Sequence, residues 1–123
     1  MATINNKKIV QLSGPPPFLD NRAGRAAEIM RVFASKPRLQ ILHWLKAPRA
    51  HFREPADGGL VDDGVCGLLI AEKLGTRQPT ITGHMRLLVD VGAVRVKRVK
   101  QRTFYRRDEE RIRALKAAIA DEL

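Results

Sequence analysis

Cysteine is almost missing from this sequence: Cys66 stands alone, so an intrachain disulfide or a multi-cysteine zinc finger is excluded. Aromatic residues make up only 5% of the chain, which leaves a core that must be mostly aliphatic. No run approaches the roughly 18 apolar residues of a membrane span. The stretch after Lys7 and Lys8, from Ile9 to Ser13, is too short and polar for a signal-peptide core, so a cytoplasmic location and no membrane contact are expected. Catalytic patterns are missing too. No Ser/His/Asp, Cys/His or paired-carboxylate set has motif spacing and no glycine loop is built to cradle phosphate, so neither an enzyme nor a cofactor is expected. Acid is the last shortage, with 13 Asp and Glu against 23 Lys and Arg in 123 residues. The resulting net charge of +10 calls for an anionic polymer or surface as partner.

What is present concentrates between Leu74 and Leu88. Leu68, Leu69, Ala71, Glu72, Lys73 and Leu74 read as a short helix, Gly75 and Thr76 break it, and helical spacing resumes after Arg77. In the second helix Ile81, His84, Met85 and Leu88 share one face, while Pro79, Thr82, Gly83 and Arg86 share the other. An apolar back with a small, polar, basic front suits a helix lying in the DNA major groove. Gly83 is the odd member, because glycine inside a helix costs about 1 kcal/mol relative to alanine. Facing DNA, it would permit close approach of the backbone. His84, toward the apolar side, reads as a packed residue with a local hydrogen bond rather than a base reader.

The rest of the chain supports this unit as a single domain over residues 18–123, preceded by an arm over 1–17 that Gly14, Pro15, Pro16 and Pro17 separate from it. A helix is expected from Asp20, with Ala23, Ala26, Ala27, Met30 and Phe33 as its packed face and Arg22, Arg25 and Arg31 outside. Ser35 reads as the N-cap of a second helix that carries Leu39, Ile41, Leu42 and Leu45 and ends near Lys46. Residues 47–64 read as an irregular excursion, with a hairpin around Asp57-Gly58-Gly59 and a brief strand at Val65 and Cys66. His51 with Asp57, Asp62 and Asp63 admits a cation site, but a solvated acidic loop is the simpler reading. After Gly92 the period changes to two, predicting a two-stranded ribbon that turns at Lys100 and Gln101. Between residues 95 and 107 it carries Arg95, Lys97, Arg98, Lys100, Arg102, Arg106 and Arg107, seven positive charges with no acidic residue. Asp108 caps a final helix striped by Ile112, Leu115 and Ile119.

This order makes a winged helix-turn-helix, mainly α with a two-stranded β wing. Two stretches carry a resemblance: Ser35-Lys36-Pro37-Arg38-Leu39-Gln40-Ile41-Leu42 and Gln78-Pro79-Thr80-Ile81-Thr82-Gly83-His84-Met85, with Phe104-Tyr105 echoing an aromatic wing strand. From about Arg22 onward the chain resembles the ArsR family of bacterial winged-helix repressors. The resemblance implies a homodimer on operator DNA that represses by occluding a promoter and is released by an effector. The apolar stripes around Ile29, Met30 and Phe33, and around Ile112, Leu115 and Ile119, point to dimerisation through the terminal helices; the alternative is packing within one subunit. A two-fold dimer would set two recognition helices roughly 34 Å apart, as an inverted-repeat operator needs.

For base reading the candidates are Gln78, Thr80, Thr82 and Arg86, since glutamine pairs with adenine, arginine with guanine, and threonine offers a hydroxyl or a methyl group. Arg77 is expected on a phosphate at the helix start, where the family often has serine. Arg95, Lys97, Arg98, Lys100 and Arg102 are expected to supply affinity without sequence reading. No metal is expected. Metal-sensing relatives use a Cys-x-Cys where this chain has Cys66-Gly67-Leu68, or histidines on the last helix, which here has none, and His43, His51 and His84 are scattered. Cys66 is either a thiol sensor or, as lone cysteines usually are, a small buried hydrophobe. A winged helix serving as a protein- or RNA-interaction module is the alternative function.

Overall fold

A computed structural model describes residues 21–54, 59 and 63–123; the N-terminal arm and most of the expected Asp57-Gly58-Gly59 hairpin lie outside the described residues. The first helix, α1 (Asn21–Phe33), buries Ala26, Ile29 and Val32. The face expected from the spacing is therefore rotated. Ala23, Ala27 and Met30 are exposed, because α1 carries two apolar stripes and the one with larger β-branched residues occupies the core. Helix α2 (Lys36–Lys46) starts as expected: Ser35 is extended, and its Oγ accepts the Arg38 backbone N–H at 3.3 Å. Pro37 fits the first turn, where a missing amide costs little.

Part of the expected excursion is a short helix, α3 (Pro48–His51), followed by Phe52, which is buried and meets Trp44 edge-on at 6.2 Å between centroids. Lys73 lies over both rings, 5.3 Å from Trp44 and 5.7 Å from Phe52, and ties the helix-turn-helix to α2 and α3. Strand β1 (Val65–Cys66) leads into α4 (Gly67–Leu74), and Gly75, at φ 74°, makes the turn to α5 (Gln78–Asp90). Strands β2 (Val94–Val99) and β3 (Arg102–Arg107) form the ribbon, joined through Lys100 and Gln101. Helix α6 (Glu109–Asp121) closes the described chain, capped by the Asp108 carboxylate at the Arg111 N–H, 3.0 Å.

The sheet has three antiparallel strands in the order β1-β3-β2, one more than the ribbon alone. Val65 and Val96 flank Tyr105 from the two sides. Gly64 makes that possible: at φ 103°, any Cβ there would overlap the Tyr105 carbonyl group. The fully buried side chains are aliphatic, among them Ile41, Ile70, Ile81, Met85, Leu88 and Leu115, as the shortage of aromatics requires. Among the described residues no helix is long and apolar enough to cross a membrane.

Two glycines should respond oppositely to alanine. Gly64→Ala should destabilise the protein by more than about 2 kcal/mol in urea unfolding, through the clash and the left-handed backbone. Gly83 sits inside α5 with nothing within 4 Å of a Cβ, so Gly83→Ala should stabilise the free protein by about 1 kcal/mol. A destabilised Gly83→Ala would show that the helix needs glycine there for its own sake.

Candidate nucleic-acid interface

Helix α5 has the two faces its spacing demands. Ile81, Met85 and Leu88 are 1%, 0% and 0% exposed, wedged among α2, α4 and β2. Gln78, Pro79, Thr80, Thr82, Gly83 and Arg86 are all exposed. Thr82 Oγ1 donates to the Gln78 carbonyl at 3.1 Å, which uses its hydroxyl proton and leaves its methyl group and its oxygen lone pairs for a partner. Arg77 occupies the N-cap position and is exposed, and no side chain caps the helix start. With no acidic residue in the first turn, that end of α5 keeps its positive dipole uncompensated.

His84 is half-buried beside the core face, and its Nδ1 lies 3.0 Å from Arg38 Nη1. Burial first, then the Arg38 charge, hold its pKa below the ordinary imidazole value. The sequence places His84 as a packed residue with a local hydrogen bond; the partner, 46 positions away, was not visible in it.

The paired cations of the wing lie away from its turn, and its tip is unpaired. Arg95 Nε lies 2.8 Å from Asp108, Lys97 Nζ 2.6 Å from Asp63, and Arg107 Nε 2.8 Å from Glu109 while its Nη1 donates to the Leu42 carbonyl at 3.1 Å. Among the described residues Arg98, Lys100, Arg102 and Arg106 make no ion pair, and all four are exposed. The register puts Arg98 on the ribbon face of Val94 and Val96, and Arg95 and Lys97 on the opposite face with Phe104 and Arg106. The free positive charge is thus smaller than the sequence count; Arg98, Lys100 and Arg102 sit toward the turn, where Lys100 adopts φ 58°, and Arg106 stands opposite Arg95 at the base.

Of the six residues expected at a dimer contact, Ile29, Ile112 and Leu115 are buried within the chain, at 3%, 7% and 2% exposure, where α1 packs on α6. They have almost no surface left to offer a second copy. Phe33 and Ile119 are half-buried and Met30 is 38% exposed, beside exposed Ala27 and Ala34. Cys66 is half-buried rather than enclosed, and lines an open cleft with Leu68, Val99 and Phe104. The histidines are less scattered than their positions imply, since the His43 and His51 rings stand 5.3 Å apart between centroids. Among the described residues no three His, Cys, Asp or Glu side chains gather where they could hold a metal.

No protein-family model matches the chain. It is 35% identical over 85 residues, 69% of its own length and 85% of the relative's, to the uncharacterized HTH-type transcriptional regulator YbzH of Bacillus subtilis. It is similar to a crystal structure of a possible transcriptional regulatory protein from Mycobacterium bovis, at 26% identity and TM-score 0.53 over 80% of this chain and 92% of that one. A solution structure from the same organism, described as a homodimeric winged helix-turn-helix DNA-binding domain and a possible ArsR-family regulator, matches at 24% identity and TM-score 0.57 over 90% and 92%. Fold and relatives together define the class as winged helix-turn-helix transcriptional regulators. The chain belongs to the HTH-type transcriptional regulators, with the ArsR-type motifs quoted from its own sequence.

The cap of α6 should be acid-sensitive. The Arg111 backbone N–H first, then the Arg95 side chain, hold the Asp108 carboxyl below its ordinary pKa. Its folded-state pKa being depressed, its stabilising contribution is fully present above the ordinary carboxylate range and is lost as pH falls through the lowered value. Asp108→Ala should therefore lower Tm at neutral pH, with the gap to the wild type closing as pH is reduced into that range. A gap of constant size down to the lowest pH would show that the cap is not the charged form.

Proposed function

We propose that the protein is a homodimeric repressor that reads an inverted-repeat operator with α5 and grips the phosphate backbone with the wing. The observation that carries this is the division of α5. Three fully buried side chains fix the helix, and the opposite side presents Gln78, Thr82, Gly83 and Arg86 with no side chain packed over Gly83. An α-helix presented this way fits a major groove, where Gln78, Thr80, Thr82 and Arg86 read base edges. Thr82, its proton held by Gln78, is suited to a thymine methyl group. Arg77 and the open helix start take a phosphate.

Arg98, Lys100 and Arg102 engage backbone or minor groove directly. Arg95 and Lys97 contribute after exchanging their exposed carboxylate partners, a small loss since such pairs are worth about 0–1 kcal/mol. The homodimer of the Mycobacterium bovis domain supports dimerisation, and the terminal helices are the faces we assign to it. Here Met30, Phe33 and Ile119, flanked by alanines, provide the contact; Ile29, Ile112 and Leu115 support it from beneath. Release by an effector completes the reading, and Cys66 in its open cleft is the one thiol that could take part.

Arg86→Ala should cost about 1 to 3 kcal/mol on the operator and relax preference at one base pair per half-site, leaving random duplex almost unaffected. Arg98→Ala or Lys100→Ala should weaken all duplexes alike and reduce the salt slope by nearly one unit each. Binding-site selection followed by fluorescence anisotropy over a salt series separates the two patterns; equal losses on operator and random DNA for Arg86→Ala would remove its reading role. Met30→Glu should shift the protein from dimer to monomer in sedimentation equilibrium and weaken operator binding in step. An unchanged dimer would place the interface elsewhere.

A further inference from the structure

One guanidinium joins three helices behind the reading face. Arg38, in the first turn of α2, donates from Nε to the Val32 carbonyl at 2.6 Å. That carbonyl belongs to the last turn of α1, where a helix leaves acceptors without an intrahelical donor. Nη1 of the same side chain meets His84 Nδ1 at 3.0 Å, at the middle of α5. A guanidinium has donors only, so this bond requires a lone pair on Nδ1 and hence the neutral ring with its proton on Nε2. His84 follows Gly83 directly and lies two residues from Thr82 and Arg86, so a small rotation of α5 about its axis at His84 moves all three.

We propose that Arg38 is a positioning residue for the recognition helix, that it sets the rotation of α5 by bonding neutral His84, and that protonation of His84 opens this clamp and lowers operator discrimination. The proposal rests on the DNA-reading role of α5. A proton on Nδ1 meets an arginine N–H already pointed at it, and two cations then face each other. Burial and Arg38 both oppose that charge. α4 brings Glu72 and Lys73 to its packing with α5, β2 brings Arg95, Lys97 and Arg98, and α2 brings Lys36, His43 and Lys46; among the described residues none of these acts on the ring, so no carboxylate offsets the repulsion. The opening falls on the acid side of the ordinary imidazole range.

The test uses the full chain. Ring nitrogen NMR should show the Nε2–H tautomer for His84, and the α5 amides should shift as that ring titrates on the acid side of the ordinary imidazole range. Over the same interval, anisotropy should show the ratio of operator to random-duplex affinity falling about tenfold. Arg38→Gln should raise the His84 pKa and lower that ratio at neutral pH. His84→Asn, whose Oδ1 takes the place of Nδ1 and can still accept from Arg38, should keep the ratio at neutral pH and lose the fall on the acid side. The proposal is overturned if His84 carries its proton on Nδ1, if α5 does not respond to the titration, or if His84→Asn keeps the wild-type pH profile. The ring measurements need no DNA, so a protein that binds no duplex in any form would refute the operator reading while the clamp is still judged by NMR. Should Arg38→Gln fail to fold, His84→Asn and the ring measurements on the wild type decide.

Discussion

The burial of one face of α5 is the constraint on which the rest depends. Ile81, Met85 and Leu88 are enclosed almost completely, and each is worth about 1.5 to 3 kcal/mol relative to exposure. Turning the helix by one residue would forfeit roughly 5 kcal/mol or more on that scale. A good base contact discriminates by about 1 to 3 kcal/mol. The core therefore decides which residues face outward, and a nucleic acid meets a face already set. What apolar packing leaves undetermined is the last few degrees of rotation, because side chains such as Met85 adapt. Directional bonds act at that finer scale, and Arg38 with His84 supplies one at the middle of the helix.

Charge follows a similar division between amount and placement. Seven basic residues in the wing suggested a uniformly cationic ribbon, yet Asp63, Asp108 and Glu109 reach three of them from outside the segment. Those carboxylates lie at the base of the ribbon, next to β1 and the start of α6, and they hold it against the domain. The cations nearest the turn remain unpaired. A basic tip on a braced base can enter a groove while the hinge stays ordered, whereas a ribbon with seven mutually repelling charges would gain little from its own hydrogen bonds.

Much of this was legible because it is local. The 3.6-residue period of α5, the switch to period two after Gly92, and the caps at Ser35 and Asp108 are written in neighbouring residues. Three features were not. The two-residue strand at Val65 and Cys66 was expected, but its pairing with Phe104 and Tyr105 depends on Gly64 allowing close approach, which no periodicity records. The buried side of α1 was misread because both its stripes are apolar and only the packing partner, α6, selects one. Arg38 and His84 each appeared in a quoted motif, but their bond spans 46 positions; a donor-only side chain in one motif and an imidazole on an apolar face in the other were the available signal.

The same bond bears on how a dimer would communicate with its reading heads. Ile29 and Val32 of α1 pack in the chain's core, and the Val32 carbonyl accepts from Arg38. Met30 and Phe33, on the outer side of that last stretch, are the residues proposed to meet a second copy. A standard interface buries about 800 Å² per partner, more than Met30, Phe33 and Ile119 can supply, so the flanking alanines of α1 and α6 must approach closely as well. Close helix contact leaves little slack. A displacement of α1 at such a contact changes the Arg38 to Val32 geometry, and the rigid guanidinium carries the change to His84 in α5. In the proposed dimer, contact and recognition helix would thus meet at one planar group, with the end of α1 between them.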